Sequence, residues 1–186
     1  MKFQSEPSTS AGEFFELIKN SGYSWPAKLE GIEKSNGFTV PQGTTVLAFH
    51  FKGGIIVAGD RRATAGNSIM YELCDKVIPI DNYTLMAIAG VPATAFEMAR
   101  VLSHNFEYYR RSQLQPMSVE GKIRALSKLL KENVGMAVQG LGVVSPIFAA
   151  YDKSQGKASI HFYDMLGADF QIQTHTATGS LSLIHI

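Results

Sequence analysis

Thr45-Val46-Leu47-Ala48-Phe49-His50-Phe51, then Lys52-Gly53-Gly54, then Ile55-Ile56-Val57-Ala58-Gly59-Asp60, is the stretch on which the fold turns. The first run is rich in strand formers, the two glycines supply a turn, and the second run is apolar until it stops at Gly59-Asp60. This reads as a β-hairpin. A further pair follows downstream: Val77-Ile78-Pro79-Ile80, a turn at Asp81-Asn82, and a strand from Tyr83 to Ala89 that ends at Gly90. Four strands therefore precede any helix. The period then changes, because Phe96, Ala99, Leu102, Phe106 and Tyr109 recur at steps of three or four, as do Val119, Ile123, Leu126, Leu130, Val134 and Ala137. Two amphipathic helices are expected, separated by Gln113-Leu114-Gln115-Pro116, with Ser118 as N-cap of the second. Strands resume at Pro146 to Tyr151, Ala158 to Asp164 and Phe170 to Thr176.

An order of four strands, two helices and three strands argues against a doubly wound parallel sheet, which needs a helix after nearly every strand. It suits antiparallel sheets in an α+β layered sandwich. Ile55-Ile56-Val57-Ala58 and Leu85-Met86-Ala87-Ile88-Ala89 are apolar at every position, so both faces of those strands should be covered.

Upstream of the hairpin the composition shifts near Pro41-Gln42-Gly43. Polar, turn-forming stretches such as Ser5-Glu6-Pro7-Ser8-Thr9-Ser10 and Glu33-Lys34-Ser35-Asn36-Gly37 dominate, and only Phe14 to Ile18 could form a short amphipathic helix. Residues 1–43 read as a flexible leader that buries too little apolar surface to offset its ordering entropy. Of 186 residues 45% are hydrophobic and 18% charged, the profile of one globular domain. Seventeen Lys+Arg against 16 Asp+Glu leave a net charge of +1, which gives no basic field for nucleic acid and no polybasic face for a membrane. The single cysteine, Cys74, excludes an internal disulfide and a thiolate metal site, and suits a reducing compartment. No apolar run is long enough to cross a bilayer, and Met1-Lys2-Phe3-Gln4-Ser5-Glu6 lacks a signal-peptide core, so the expected address is the cytoplasm.

Several common site signatures fail on context. Gly140-Leu141-Gly142 follows a helix, where a dinucleotide fingerprint follows a strand, and it reads as a helix-ending turn. The five histidines show no metal-ligand spacing, and no Gly-x-Ser-x-Gly elbow is present. Asn82-Tyr83-Thr84 is a glycosylation sequon without a secretory route. No metal or cofactor is expected.

The chemistry points instead to Gly43-Thr44-Thr45, where the leader meets the first strand. Cutting the Gly43-Thr44 bond would make Thr44 the N-terminus. A free α-amine titrates near pH 8, about two units below a lysine, so it can take the proton of its own hydroxyl at neutral pH. One residue then supplies nucleophile and base. Downstream stand Gly59-Asp60-Arg61-Arg62-Ala63-Thr64-Ala65-Gly66-Asn67 and Asp75-Lys76-Val77.

With these motifs, the Ile88-Ala89-Gly90 before the first helix and the Met136-Ala137-Val138-Gln139-Gly140-Leu141 at the end of the second, residues 44 to about 180 resemble the β subunit of the bacterial 20S proteasome. The HslV-type peptidase shares the Thr-Thr start but differs where this chain has Arg61-Arg62. The resemblance implies the four-layer αββα sandwich of N-terminal-nucleophile hydrolases, a propeptide over residues 1–43 and a peptidase domain from residue 44 onward. It implies Thr44 as nucleophile with its α-amine as base, Lys76 beside the Thr44 hydroxyl, and Asp60 paired with Lys76. Gly90 would present its N–H to the oxyanion, and Ala63, Thr64 and Ala65 would line the cleft edge where an extended substrate adds as a strand. Arg62 and Ser180 would support the site. An apolar specificity pocket would include Ala63, Cys74, Ile78 and Ile88. Partners implied are other β subunits in a seven-membered ring, α-subunit rings, and unfolded polypeptides delivered by an ATPase.

The pattern departs from the family after Thr178-Gly179-Ser180, where Leu181-Ser182-Leu183-Ile184-His185-Ile186 does not continue it. Read as a truncated fragment with an unrelated tail, the chain should leave one sheet without helical cover. Two other readings stay open at this level: a β-type ring subunit that does not cut, and a small sandwich-like binding domain unrelated to proteolysis.

Overall fold

The structure, a computed structural model, describes residues 44–65 and 68–179. The expected leader, Gly43, Ser180 and the 181–186 tail lie outside the described residues.

The opening hairpin forms as read: β1 (Thr45–Phe51) pairs antiparallel with β2 (Gly54–Gly59), Leu47 opposite Ala58 and Phe49 opposite Ile56. Between β2 and the next expected strand lie two short strands that the sequence reading did not anticipate, β3 (Ala63–Ala65) and β4 (Ser68–Tyr71). Six strands thus precede the helices. β5 (Val77–Asp81) and β6 (Thr84–Ala87) follow, then helix α1 (Pro92–Gln113), whose proline at the first turn fills a position where no N–H is needed. Helix α2 (Val119–Glu132) starts at Ser118, whose Oγ accepts from the Gly121 N–H at 3.2 Å. The second expected helix breaks at Asn133, and its last part is a separate turn, α3 (Val134–Val138). β7 (Ile147–Asp152) and β8 (Lys157–Tyr163) match expectation. The last expected strand is in fact two, β9 (Asp169–Ile172) and β10 (His175–Gly179), and they belong to different sheets.

The antiparallel five-stranded sheet runs β5-β6-β7-β8-β9, and the three-stranded sheet runs β10-β1-β2. Alternation along the central strands explains why the larger sheet is covered twice. From it, Met86, Phe148 and Tyr163 pack with Leu102 and Phe106 of α1 and Leu126 and Leu130 of α2. Their neighbours Ala87, Ile147 and Ile160 pack with Val46 and Ala48 of β1. Each such large side chain, when fully buried, contributes about 1.5–3 kcal/mol of transfer free energy. The described residues therefore build three layers, helices on sheet on sheet, and the fourth layer of the expected sandwich is not among them. Expectation held for the segment around Leu85 to Ala89, buried on both faces, and failed for Ile56 and Ala58, which are exposed. Among the described residues no helix is long and apolar enough to cross a membrane.

Candidate active site

β1 begins directly after Thr44, so strand pairing fixes the main chain of that residue. On one side the Asp60 N–H donates to the Thr45 carbonyl at 3.0 Å, and the Thr45 N–H returns a bond of 2.6 Å to Asp60 Oδ1. Asp60 stands at the end of β2 because the Gly59–Val46 register carries it there. Its second oxygen accepts from the Arg62 N–H at 3.0 Å, a turn that bends the chain away after the strand.

Lys76 enters from the segment before β5 with its side chain 4% exposed, which makes the fate of its charge decisive. Its Nζ donates to Asp60 Oδ2 at 2.7 Å, to Asp60 Oδ1 at 2.9 Å and to the Arg62 carbonyl at 2.6 Å. A buried ammonium is tolerated only when so paired and bonded. Burial pushes the Asp60 carboxyl up, but bonds from Lys76, Thr45 and Arg62, with the Lys76 charge, outweigh it and hold the group below its ordinary value. The expected Asp60–Lys76 pair is thus formed, beside the main chain that carries Thr44.

Gly90 lies on the strand-like segment after β6. This segment is tied to the site because the Ile88 N–H donates to the Lys76 carbonyl at 2.8 Å. Gly90 bridges Val144 through flanking bonds, Val91 N–H to the Val143 carbonyl at 2.8 Å and Ser145 N–H to the Ala89 carbonyl at 2.9 Å. In such a pair the central N–H takes no part in the ladder and is directed away from the partner strand. With φ at +115° and the Val143 carbonyl where a Cβ would sit, only glycine fits there. An N–H with that freedom is what an oxyanion donor requires.

Thr64, Arg61, Asp60 and Thr45 line an open cleft of about 700 Å³ with Glu72 and Leu73. Ala63 and Thr64 form β3, and the Arg61 carbonyl accepts from the Cys74 N–H at 2.8 Å, so the cleft edge is joined to the pocket region. Cys74 and Ile78 line a neighbouring apolar cleft of about 600 Å³ with Tyr71, Leu73 and Phe96. Ala63 and Ile88, also expected in an apolar pocket, do not line this cleft; Ile88 is in the main core at 4% exposure. The Ala65 side chain, Gly43 and Ser180 lie outside what is described. Sequence reasoning missed the Thr45 N–H and, though it named Arg62, the Arg62 carbonyl; unlike the Gly90 N–H, which the resemblance supplied, neither main-chain group is marked by a motif. It also gave no role to Gly179, which pairs with Thr45 across the β1–β10 ladder.

A family model described as "Proteasome subunit" matches residues 40–185. Curated relatives, each called "Proteasome subunit beta", include that of Streptosporangium roseum, 39% identical over 85% of this chain and 56% of the relative. That of Acidimicrobium ferrooxidans is 38% identical over 78% of this chain and 53% of the relative, and that of Streptomyces griseus 41% over 77% and 50%. The chain spans about half the length of the curated relatives it matches. The chain belongs to the proteasome subunit family, on the side of its bacterial β subunits.

Proposed function

We propose that this chain is a threonine endopeptidase subunit of a proteasome core, made as a precursor that cleaves itself at Gly43-Thr44. The observation that carries the reading is the Asp60–Lys76 pair bonded to the Thr45 main chain. In the mature chain the Thr44 α-amine takes the hydroxyl proton, directly or through a water, as Oγ1 attacks the substrate carbonyl. Lys76 lowers the cost of the oxygen's developing negative charge, and Asp60 keeps the ammonium charged and oriented. The oxyanion is met by the Gly90 N–H, a donor type whose loss costs about 3 kcal/mol. Collapse of the tetrahedral species breaks the C–N bond, and the protonated α-amine returns its proton to the leaving amine. Water then adds to the acyl-ester on Thr44, its proton taken by the α-amine, and Thr44 is released.

In this reading residues 1–43 keep Thr44 blocked until processing. Ala63, Thr64 and Ala65 pair with an extended substrate as an added strand, which suits unfolded polypeptides and asks for no charge complementarity. Partner β subunits in a seven-membered ring, α-subunit rings and an ATPase that delivers substrate complete the assembly, in the cytoplasm. Intact mass tests the reading most directly. The parent should lose residues 1–43, whereas Thr44→Ala should keep them and show no peptidase activity; an active protein still beginning at Met1 would overturn the mechanism, and an assembled but uncut parent would make the chain a ring subunit without catalysis.

A further inference from the structure

Thr44 is joined to β1 through a peptide unit with two handles, the Thr45 N–H on one side and the Thr44 carbonyl on the other. The N–H handle is held by Asp60, as described above. The carbonyl handle faces β10. Gly179, the last residue of that strand, sits opposite Thr45 in the antiparallel register. Its φ is +92°, a conformation that side-chain-bearing L residues rarely adopt. A Cβ built on Gly179 would collide with the Thr44 carbonyl oxygen and carbon, and would lie 3.4 Å from the Thr45 Cα. Main chain, and no flexible side-chain end, stands in the way, so a substituent at 179 must displace either β10 or the peptide that carries Thr44.

We infer that Gly179 is a positioning residue for the Thr44 chemistry, the second jaw of a clamp whose first jaw is Asp60. The inference rests on the catalytic reading above and adds to it a residue from the far end of the described chain. Rotation of the Thr44–Thr45 peptide plane swings the Thr44 Cα substituents, the amine and the hydroxyl-bearing side chain, relative to Lys76 and Gly90. Displacing reacting groups by about 1 Å commonly costs on the order of a hundredfold in rate. The geometry therefore separates two substitutions that composition alone would treat alike. L-alanine at 179 needs an unfavourable φ and drives its methyl into Thr44. D-alanine favours the positive φ and carries its methyl on the other α-hydrogen direction, away from that carbonyl.

The experiment compares the parent, Gly179→Ala and a semisynthetic chain with D-alanine at 179, each assembled as the parent assembles. It measures the rate of leader loss by intact mass, and kcat and KM on an unstructured peptide after processing. Gly179→Ala is expected to slow leader loss and lower kcat about a hundredfold with KM within about threefold. D-alanine should restore both rates to within about fivefold of the parent. If Gly179→Ala processes and turns over like the parent, the assignment is wrong. If D-alanine is as impaired as L-alanine, any substituent at 179 merely disrupts β10, and the assignment is equally overturned. A parent that neither processes nor cleaves peptide would take down the catalytic reading itself, and the clamp with it, a result distinct from a working parent beside a working Gly179→Ala.

Discussion

At the scale of single residues the site is an electrostatic arrangement built around one buried cation. Lys76 is accommodated in a buried position because Asp60 meets its Nζ with both oxygens, and the Asp60 carboxyl is held below its ordinary value because three donors converge on it. The sign of the pH effect follows. A carboxyl whose folded pKa is held below its ordinary value stabilises the fold fully above the ordinary value and loses that contribution as pH falls through the folded one. The parent should therefore show an acid-unfolding limb below about pH 4, measured by circular dichroism, that is shallower in Asp60→Asn. At neutral pH the same variant should remove the carboxylate that meets the Lys76 ammonium and slow leader loss at least about tenfold; processing at the parental rate would remove Asp60 from the mechanism. Both side chains were legible in the sequence, since Gly-Asp-Arg-Arg and Asp-Lys are motifs of residue type. Thr45 and Arg62 act through main-chain groups, which every residue possesses, so their parts became visible only in three dimensions.

At the scale of elements, the regular period of long segments carried most of the reading and its local exceptions did not. The β1–β2 hairpin was legible because a seven-residue run rich in strand formers, a Gly-Gly turn and an apolar run follow one another. β3 and β4 were missed because three or four residues are too few to establish alternation. The break at Asn133 was hidden because Val134 and Ala137 continue the helical spacing. What ends the helix is a bond from Asn133 Nδ2 to the Gly142 carbonyl at 2.7 Å, with the Asn133 N–H shared between the carbonyls of Leu129 and Leu130. β9 and β10 were merged because Gln173-Thr174 contains no turn residue, while the bond from the His50 N–H to the Thr174 carbonyl takes the chain from one sheet to the other. One tether between elements was invisible in sequence. Lys122 of α2, 5% exposed, donates to Asp81 Oδ2 at 2.6 Å and Thr84 Oγ1 at 3.0 Å, and its Nζ lies 5.4 Å from the centre of the Phe106 ring. Lys122→Met should cost about 3 kcal/mol by leaving Asp81 without its partner. Thermal melting should fall by about 10 °C, and adding Asp81→Asn should recover part of the loss; unchanged melting in the single variant would show the tether to be energetically idle.

At the scale of the whole molecule, the doubly covered strand was legible in the run Leu85 to Ala89, whereas the equally apolar run Ile55 to Ala58 lies in the outer sheet with Ile56 and Ala58 exposed. Leu47, Phe49, Ile56, Ala58 and Ala177 share the face of the three-stranded sheet opposite Val46 and Ala48, and Ile56 is 43% exposed. No described helix packs on it. Contiguous apolar faces of this kind drive association, so Ile56→Lys should lower self-association, read by light scattering at matched concentration, while moving the melting temperature by less than about 2 °C. Unaltered scattering would place the sticky surface elsewhere. The same small sheet also joins the two ends of the described chain, since β1 lies between β2 and β10 and Thr45 pairs with Gly179. A ribosome delivers residues in order, at roughly 5–20 per second. The segment around Thr44 emerges before Gly179 and must wait on the order of ten seconds for it. If the chain cuts itself as proposed, this wiring sets a timer: the strand that carries Gly179 has to be made before the blade can close on the leader.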